Sequence, residues 1–235
     1  MLIALLLALL LCGCRAEEEW AVPADGAAPP LPEPEVTGYV ALTFDDGPTP
    51  RHTARLLDGL QARGVHATFF LAGYRLAGNE ALVQRIRDEG HQIGNHSYAH
   101  QQLTTLSAAD ALADLAACDL ALCTLLGEGD YWVRPPYGSV SGEVLSQLDV
   151  PVVCWSVDPR DWTGITAEQV AEQIVSAAQD GDIVLLHDCY AATVDGALQA
   201  VDALQARGIQ LVTVKQLLAL RGKEAETGQV IYRGK

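Results

Sequence analysis

Asp45 and Asp46 follow the apolar run 39–44 and precede Gly47-Pro48, while His96 and His100 stand four apart behind a second short run. One carboxylate and two imidazoles make an open three-ligand site for a first-row divalent ion, with positions left for water and substrate. A second carboxylate beside the ligating one can take a proton from attacking water. A separate histidine, His187, can protonate a leaving amine. Such a set hydrolyses an amide or ester through a tetrahedral oxyanion. Each cluster also has a plainer reading. Asp-Asp-Gly-Pro is a good turn, and two histidines four apart can be solvated neighbours. Arg134 can be a structural ion-pair partner and His187 a hydrogen-bonded core residue.

Placement decides between these readings. Apolar, β-rich runs near 39–44, 66–71, 91–95, 131–134, 151–156, 182–186 and 209–213 predict strands. Amphipathic stretches near 51–63, 79–89, 107–126, 140–148, 166–179, 194–207 and 214–221 predict helices. Ser107 followed by Asp110, and Thr166, are N-terminal capping residues, while Gly64 and Gly127 are helix stops. Seven strand–helix units predict an α/β fold, a parallel barrel one unit short of eight; a doubly wound open sheet is the alternative. On this map Asp45-Asp46, His96/His100, Arg134, the Asp158/Asp161/Trp162 group and His187-Asp188 all fall at C-terminal strand ends. In a parallel barrel those ends share one mouth, where such folds carry active sites.

Five motifs in order, TFDDGP (43–48), HSYAH (96–100), RPPYG (134–138), DPRDW (158–162) and LLHD (185–188), resemble those of the polysaccharide deacetylases. This is carbohydrate esterase family 4, the NodB-homology domain, and the resemblance covers about residues 37–222. It implies a distorted (β/α)7 barrel that removes N- or O-acetyl groups from glycans. By the same resemblance, Asp46, His96 and His100 are the metal ligands and Asp45 is the general base. Arg134 holds Asp45 in place, and Asp161 orients the general acid His187. The backbone N–H of Tyr137 stabilises the oxyanion, next to Pro136 in the same motif, and Trp162 and Leu185 line the acetyl pocket. Asp158 and Asp188 have supporting roles. Zn²⁺ is the expected ion, with Co²⁺ and Ni²⁺ suited to the same ligands. The expected substrate is an acetylated cell-wall glycan, peptidoglycan first, with chitooligosaccharide or acetylated xylan as alternatives. A non-hydrolytic glycan-binding envelope protein and a hydrolase of small cyclic amides are the readings from other classes.

Thirty acidic against fifteen basic residues give a net charge of −15, which excludes a nucleic-acid partner for want of a basic surface. Residues 1–13 are almost wholly apolar. As a helix they reach about 20 Å, short of the ~30 Å hydrocarbon layer, and so predict a signal peptide. Leu11-Cys12-Gly13-Cys14 resembles a lipobox, making Cys14 the lipidation site and the lipid the sole membrane attachment. Residues 14–37, rich in Pro, Ala and Glu, read as a disordered tether, 38–222 as the catalytic domain and 223–235 as a polar tail. The expectation is thus a monomer on the extracytoplasmic face of the cell membrane. Cys118, Cys123, Cys154 and Cys189 lack metal-binding spacing. Trp132 and Trp155 are expected in the core, and His52, His66 and His91 are incidental.

Overall fold

The computed structural model describes residues 35–234. The expected signal peptide, Cys14 and the tether as far as residue 34 lie outside the described residues. Among the described residues, no helix is long and apolar enough to cross a membrane.

Strand β1 (Gly38–Asp45) pairs in parallel with β2 (Thr68–Leu71), and β2 with β3 (Gln92–Asn95). Single parallel bridges carry the ring onward, from Asn95 to Val133 and from Val133 to Val152 at the start of β4 (Val152–Val153). Val157 then bridges Val184 of β5 (Ile183–His187), and β5 returns to β1. The strands therefore close into a parallel barrel, as the seven-unit count predicts. Its distortion lies at β6 (Ile209–Val212), which pairs only with residues 38–41 of β1, while β5 pairs with residues 41–45. Helix α7 (Val214–Leu220) then enters the floor. Its Val214 N–H donates to Thr68 Oγ1, and Val214, Leu217 and Leu218 pack on Ala41, Phe70, Trp132, Val153 and Ile183.

Alternation along β1 explains both the core and the site. Val40, Leu42 and Phe44 face the helices and join the main cluster, while Ala41, Thr43 and Asp45 face the barrel interior. Helix α1 (His52–Gln61) buries Leu56, Leu57 and Leu60 completely, each worth about 1.5–3 kcal/mol. Helix α2 (Glu80–Asp88) buries Val83 and Ile86. Helix α3 (Ala108–Leu126) opens on Ser107, whose Oγ accepts from Asp110 N–H, and stops at Gly127 with φ 89°. Helix α5 (Ala167–Ala177) carries a full capping box between Thr166 and Gln169.

Four stretches depart from the expected elements. The strand expected over 131–134 is only the bridging residue Val133, because Pro135-Pro136 supply no N–H to a ladder. The helix over 140–148 contracts to α4 (Gly142–Leu145), and helix α6 (Ala191–Ala206) begins earlier than expected. Residues 223–234 are no free tail. Strand β7 (Val230–Ile231) pairs with β4, Cys154 N–H donates to Ile231 O, and Arg233 forms an ion pair with the buried Asp182 at 2.6 Å. The apolar pair Val230-Ile231 was too short to read as a strand in a polar segment.

Candidate active site

At the C-terminal mouth of the barrel lies a cleft of about 400 Å³. Asp45, Asp46, His96, His100, Tyr137, Trp155, Asp158, Trp162, Leu185, His187 and Tyr190 line it. The five non-glycine residues with left-handed backbone among those described are Asp46, Ser97, His100, Tyr137 and Arg160, all in loops at this mouth. Such conformations cost free energy and persist where neighbours enforce them. Here the enforcement is visible. Ser97 N–H donates to Asn95 Oδ1, His100 N–H to Ser97 Oγ, and Tyr98 and Ala99 N–H to the Asp114 carboxylate of α3.

Ligand atoms of Asp46, His96 and His100 lie within 4.8 Å of one another. His96 Nδ1 sits 2.7 Å from Arg134 O, so it donates to that carbonyl and leaves Nε2 facing the carboxylates. His96 Nε2 and His100 Nε2 stand 3.5 and 3.0 Å from Asp46 Oδ1. That oxygen is nevertheless buried without a hydrogen-bond partner. The three donor atoms thus cluster closely while leaving Oδ1 without a hydrogen bond of good geometry, an arrangement that fits a divalent ion. Burial alone would raise the Asp46 pKa, but the His100 and His96 imidazoles outweigh it and hold the carboxyl well below its usual range. Reciprocally, the Asp46 carboxylate raises that of His100.

Asp45 faces the same space with one oxygen tied back. Its Oδ1 accepts from Arg134 Nη1 at 2.8 Å, and its Oδ2 lies 3.7 Å from His96 Nε2. Arg134 is wholly buried inside the barrel, donating also to Thr43 Oγ1 and to the carbonyls of Val153 and Cys154. Across the cleft, His187 is the direct β5 partner of Asp45 on β1. Its Nδ1 donates to Asp161 Oδ1 at 2.9 Å, leaving Nε2 toward the cleft. Asp161 Oδ2 accepts from His187 N–H and Thr193 Oγ1, which fixes the carboxylate. Burial pulls the His187 pKa down, but the Asp161 hydrogen bond and charge prevail and push it up to about 9.

The remaining expected residues divide. Tyr137 and Trp162 project from short 3₁₀ turns, Pro136–Gly138 and Asp161–Thr163, and are more than half exposed. Leu185 is buried at the cleft wall. Pro136 is buried and does not line the cleft, because the left-handed turn at Tyr137 sends the two side chains apart. Asp158 lines the cleft, its Oδ1 accepting from Arg160 N–H. Trp155, expected in the core as part of a strand over 151–156, is instead a half-buried wall, since β4 ends at Val153 and Trp155 lies beyond it. Tyr190, with its ring centroid 6.3 Å from that of His187, also joins the wall. Trp132 is buried as expected. His91 is a core residue whose Nδ1 accepts from Ala67 N–H, and burial lowers its pKa to about 4. Cys118, Cys123, Cys154 and Cys189 are all free.

The sequence matches the family described as Polysaccharide deacetylase over residues 33–153. It is 39% identical over 178 residues to the peptidoglycan-N-acetylmuramic acid deacetylase PdaC of Bacillus subtilis, covering 76% of this chain and 38% of that protein. To the peptidoglycan-N-acetylglucosamine deacetylase PgdA of Listeria monocytogenes it is 35% identical over 211 residues, covering 90% of this chain and 45% of that protein. The chain thus spans less than half the length of these two relatives. Among solved structures, a family 4 acetyl xylan esterase from Clostridium thermocellum, in complex with a cobalt ion, superposes with a TM-score of 0.78 at 31% identity. The match covers 83% of this chain and 98% of that one. Five motifs meeting at one barrel mouth, the family match and these likenesses agree: the chain belongs to the polysaccharide deacetylase family.

Proposed function

We propose that this chain is a metal-dependent hydrolase that removes N-acetyl groups from GlcNAc residues of cell-wall polysaccharide, peptidoglycan first. The observation that carries the reading is the shared cleft, in which the three-donor group and Asp45 face His187 across adjacent strands. The names of PdaC and PgdA support peptidoglycan as the substrate, and the cobalt-bound esterase supports a divalent ion. Acetate release from peptidoglycan, chitin oligomers and acetylxylan, measured side by side, tests it. Activity confined to xylan would remove the peptidoglycan reading.

Asp46, His96 and His100 would hold the ion, Zn²⁺ before Co²⁺ or Ni²⁺, which when bound supplies Lewis-acid polarisation of the scissile carbonyl and of water. Asp45 takes the proton of the attacking water on Oδ2, while Arg134 keeps Oδ1 in place. The Tyr137 backbone N–H, presented by its left-handed turn, donates to the developing oxyanion. His187 Nε2 then delivers its proton to the departing amine nitrogen, with Asp161 holding the ring. Trp162 and Leu185 enclose the acetyl methyl.

Two outcomes follow from these assignments. His100→Ala weakens zinc binding beyond the roughly 10–100-fold typical of losing an outer-shell partner; equal zinc content in variant and wild type would remove His100 from the ligand set. A general acid must carry its proton, so activity falls as pH rises through the His187 pKa, about 9. Asp161→Asn removes the group that raises that pKa. The alkaline limb of the kcat/KM profile then moves to lower pH, and an unmoved limb would detach His187 from the acid role.

We further propose export with lipid attachment at Cys14, which places a monomeric enzyme on the extracytoplasmic face of the membrane. The apolar run 1–13 and the Leu11-Cys12-Gly13-Cys14 motif support it. Mass spectrometry of the mature N-terminus decides it, an unmodified terminus beyond Cys14 ending the lipid assignment.

A further inference from the structure

Asp188 follows the acid His187 directly, yet none of the proposed chemical steps uses it. It is fully buried, and no cation forms an ion pair with it among the described residues. Its Oδ2 accepts from Thr53 Oγ1 at the start of α1. Thr53 Oγ1 accepts in turn from Thr49 N–H at 2.7 Å, and Thr49 Oγ1 donates to the Asp188 carbonyl at 3.0 Å. This loop of bonds fastens the chain just beyond the Asp45-Asp46-Gly47 turn to the end of β5.

The other carboxylate oxygen, Oδ1, has no hydrogen-bond partner. Instead the carboxylate packs against Gly47: a Cβ at that position would stand 2.6 Å from both oxygens. Gly47 is not among the left-handed residues, so its backbone would accept a side chain and the Asp188 carboxylate is what excludes one. On its other side the turn is held by Ala72 N–H, which donates to Gly47 O at 3.0 Å. Between Asp45 and Gly47 stands Asp46, with φ 69°, a left-handed conformation that costs free energy outside glycine.

We infer that Asp188 is a positioning residue for the metal-binding turn: its carboxylate props Gly47 and, through Thr53 and Thr49, keeps Asp46 aimed at His96 and His100. The inference rests on the reading of Asp46 as a metal ligand. Shape and acceptor capacity carry the role, and charge does not, because among the described residues no cation forms an ion pair with the carboxylate. The end of β5 thereby does two things at once. His187 presents a proton to the cleft, and the next residue fixes the turn opposite.

The test is zinc affinity of the full chain, measured by competition with a chromophoric chelator on apo-protein whose fold is verified by circular dichroism. Asp188→Ala is expected to weaken zinc binding by about 10–100-fold, as loss of an outer-shell partner does. Asp188→Asn keeps the acceptor and the shape and stays within about threefold of wild type. Gly47→Ala weakens binding alone but costs little further in the Asp188→Ala background, where the Cβ finds room. A folded Asp188→Ala protein with wild-type zinc affinity overturns the inference, as does a full additional loss on adding Gly47→Ala to it. Where Asp188→Ala does not fold, Thr53→Ala and Gly47→Ala decide, and wild-type affinity in both overturns it. Wild-type protein that binds no zinc overturns the metal reading and this inference together. Wild type that binds while the variants match it overturns this inference alone.

Discussion

Asp45→Asn lowers turnover by about 10²–10⁴-fold, the range a positioned general base supplies, while zinc stays bound. The expectation follows from how the two adjacent aspartates are divided. Asp46 has an unpartnered oxygen among the imidazoles, whereas Asp45 spends one oxygen on Arg134 and turns the other to the cleft. An asparagine at position 45 still accepts from Arg134 but cannot take a proton from water. Steady-state acetate release and zinc content, measured on the same preparation, check it. Loss of zinc along with activity would move Asp45 into the ligand set, and wild-type turnover would remove it from the reaction.

Arg134→Ala is expected to cost about 3–5 kcal/mol of folding stability, the usual consequence of breaking a buried ion pair from one side. At roughly 2–4 °C per kcal/mol for a domain of this size, Tm falls by about 6–20 °C. The guanidinium is wholly buried and donates in four directions, to Asp45, Thr43, Val153 O and Cys154 O, with Phe70 stacked 4.1 Å away. Its removal leaves Asp45 buried without a cation and three acceptors without a donor. Lysine cannot restore it, because one ammonium lacks the planar fork that reaches these partners. Thermal unfolding of Arg134→Ala and Arg134→Lys checks both statements, and a Tm within about 2 °C of wild type for either would contradict them.

What could be read from the chain was local. The caps at Ser107 and Thr166, the stripe Leu56/Leu57/Leu60 and the position of each reactive residue behind an apolar run depend on neighbours a few residues away. Pairings between distant segments escaped. Nothing near Val230-Ile231 announces that β4 needs a partner, and nothing near Asp114 shows that it caps the 96–100 loop. The apolar run 151–156 reads as one strand, whereas the strand ends at Val153, and Trp155 therefore lies outside the core. Asp188 could be seen as part of a motif, but its burial against Gly47 depends on a contact between β5 and the β1 turn.

The pairing of β7 with β4 also bears on when the molecule can finish folding. Strands β1 to β3 find one another over short separations, and each parallel pairing needs only one intervening helix. The β4 edge waits for Val230-Ile231, far later in the chain, and the Arg233–Asp182 ion pair waits with it. A nascent chain emerging N-terminus first therefore carries an open β4 edge until residues 230–231 have been made. Contacts of such long separation form slowly, and an unpaired strand edge invites association with other chains. Covering of the β4 edge is thus a late event in the folding of this domain, set by the segment that composition alone marks as an appendage.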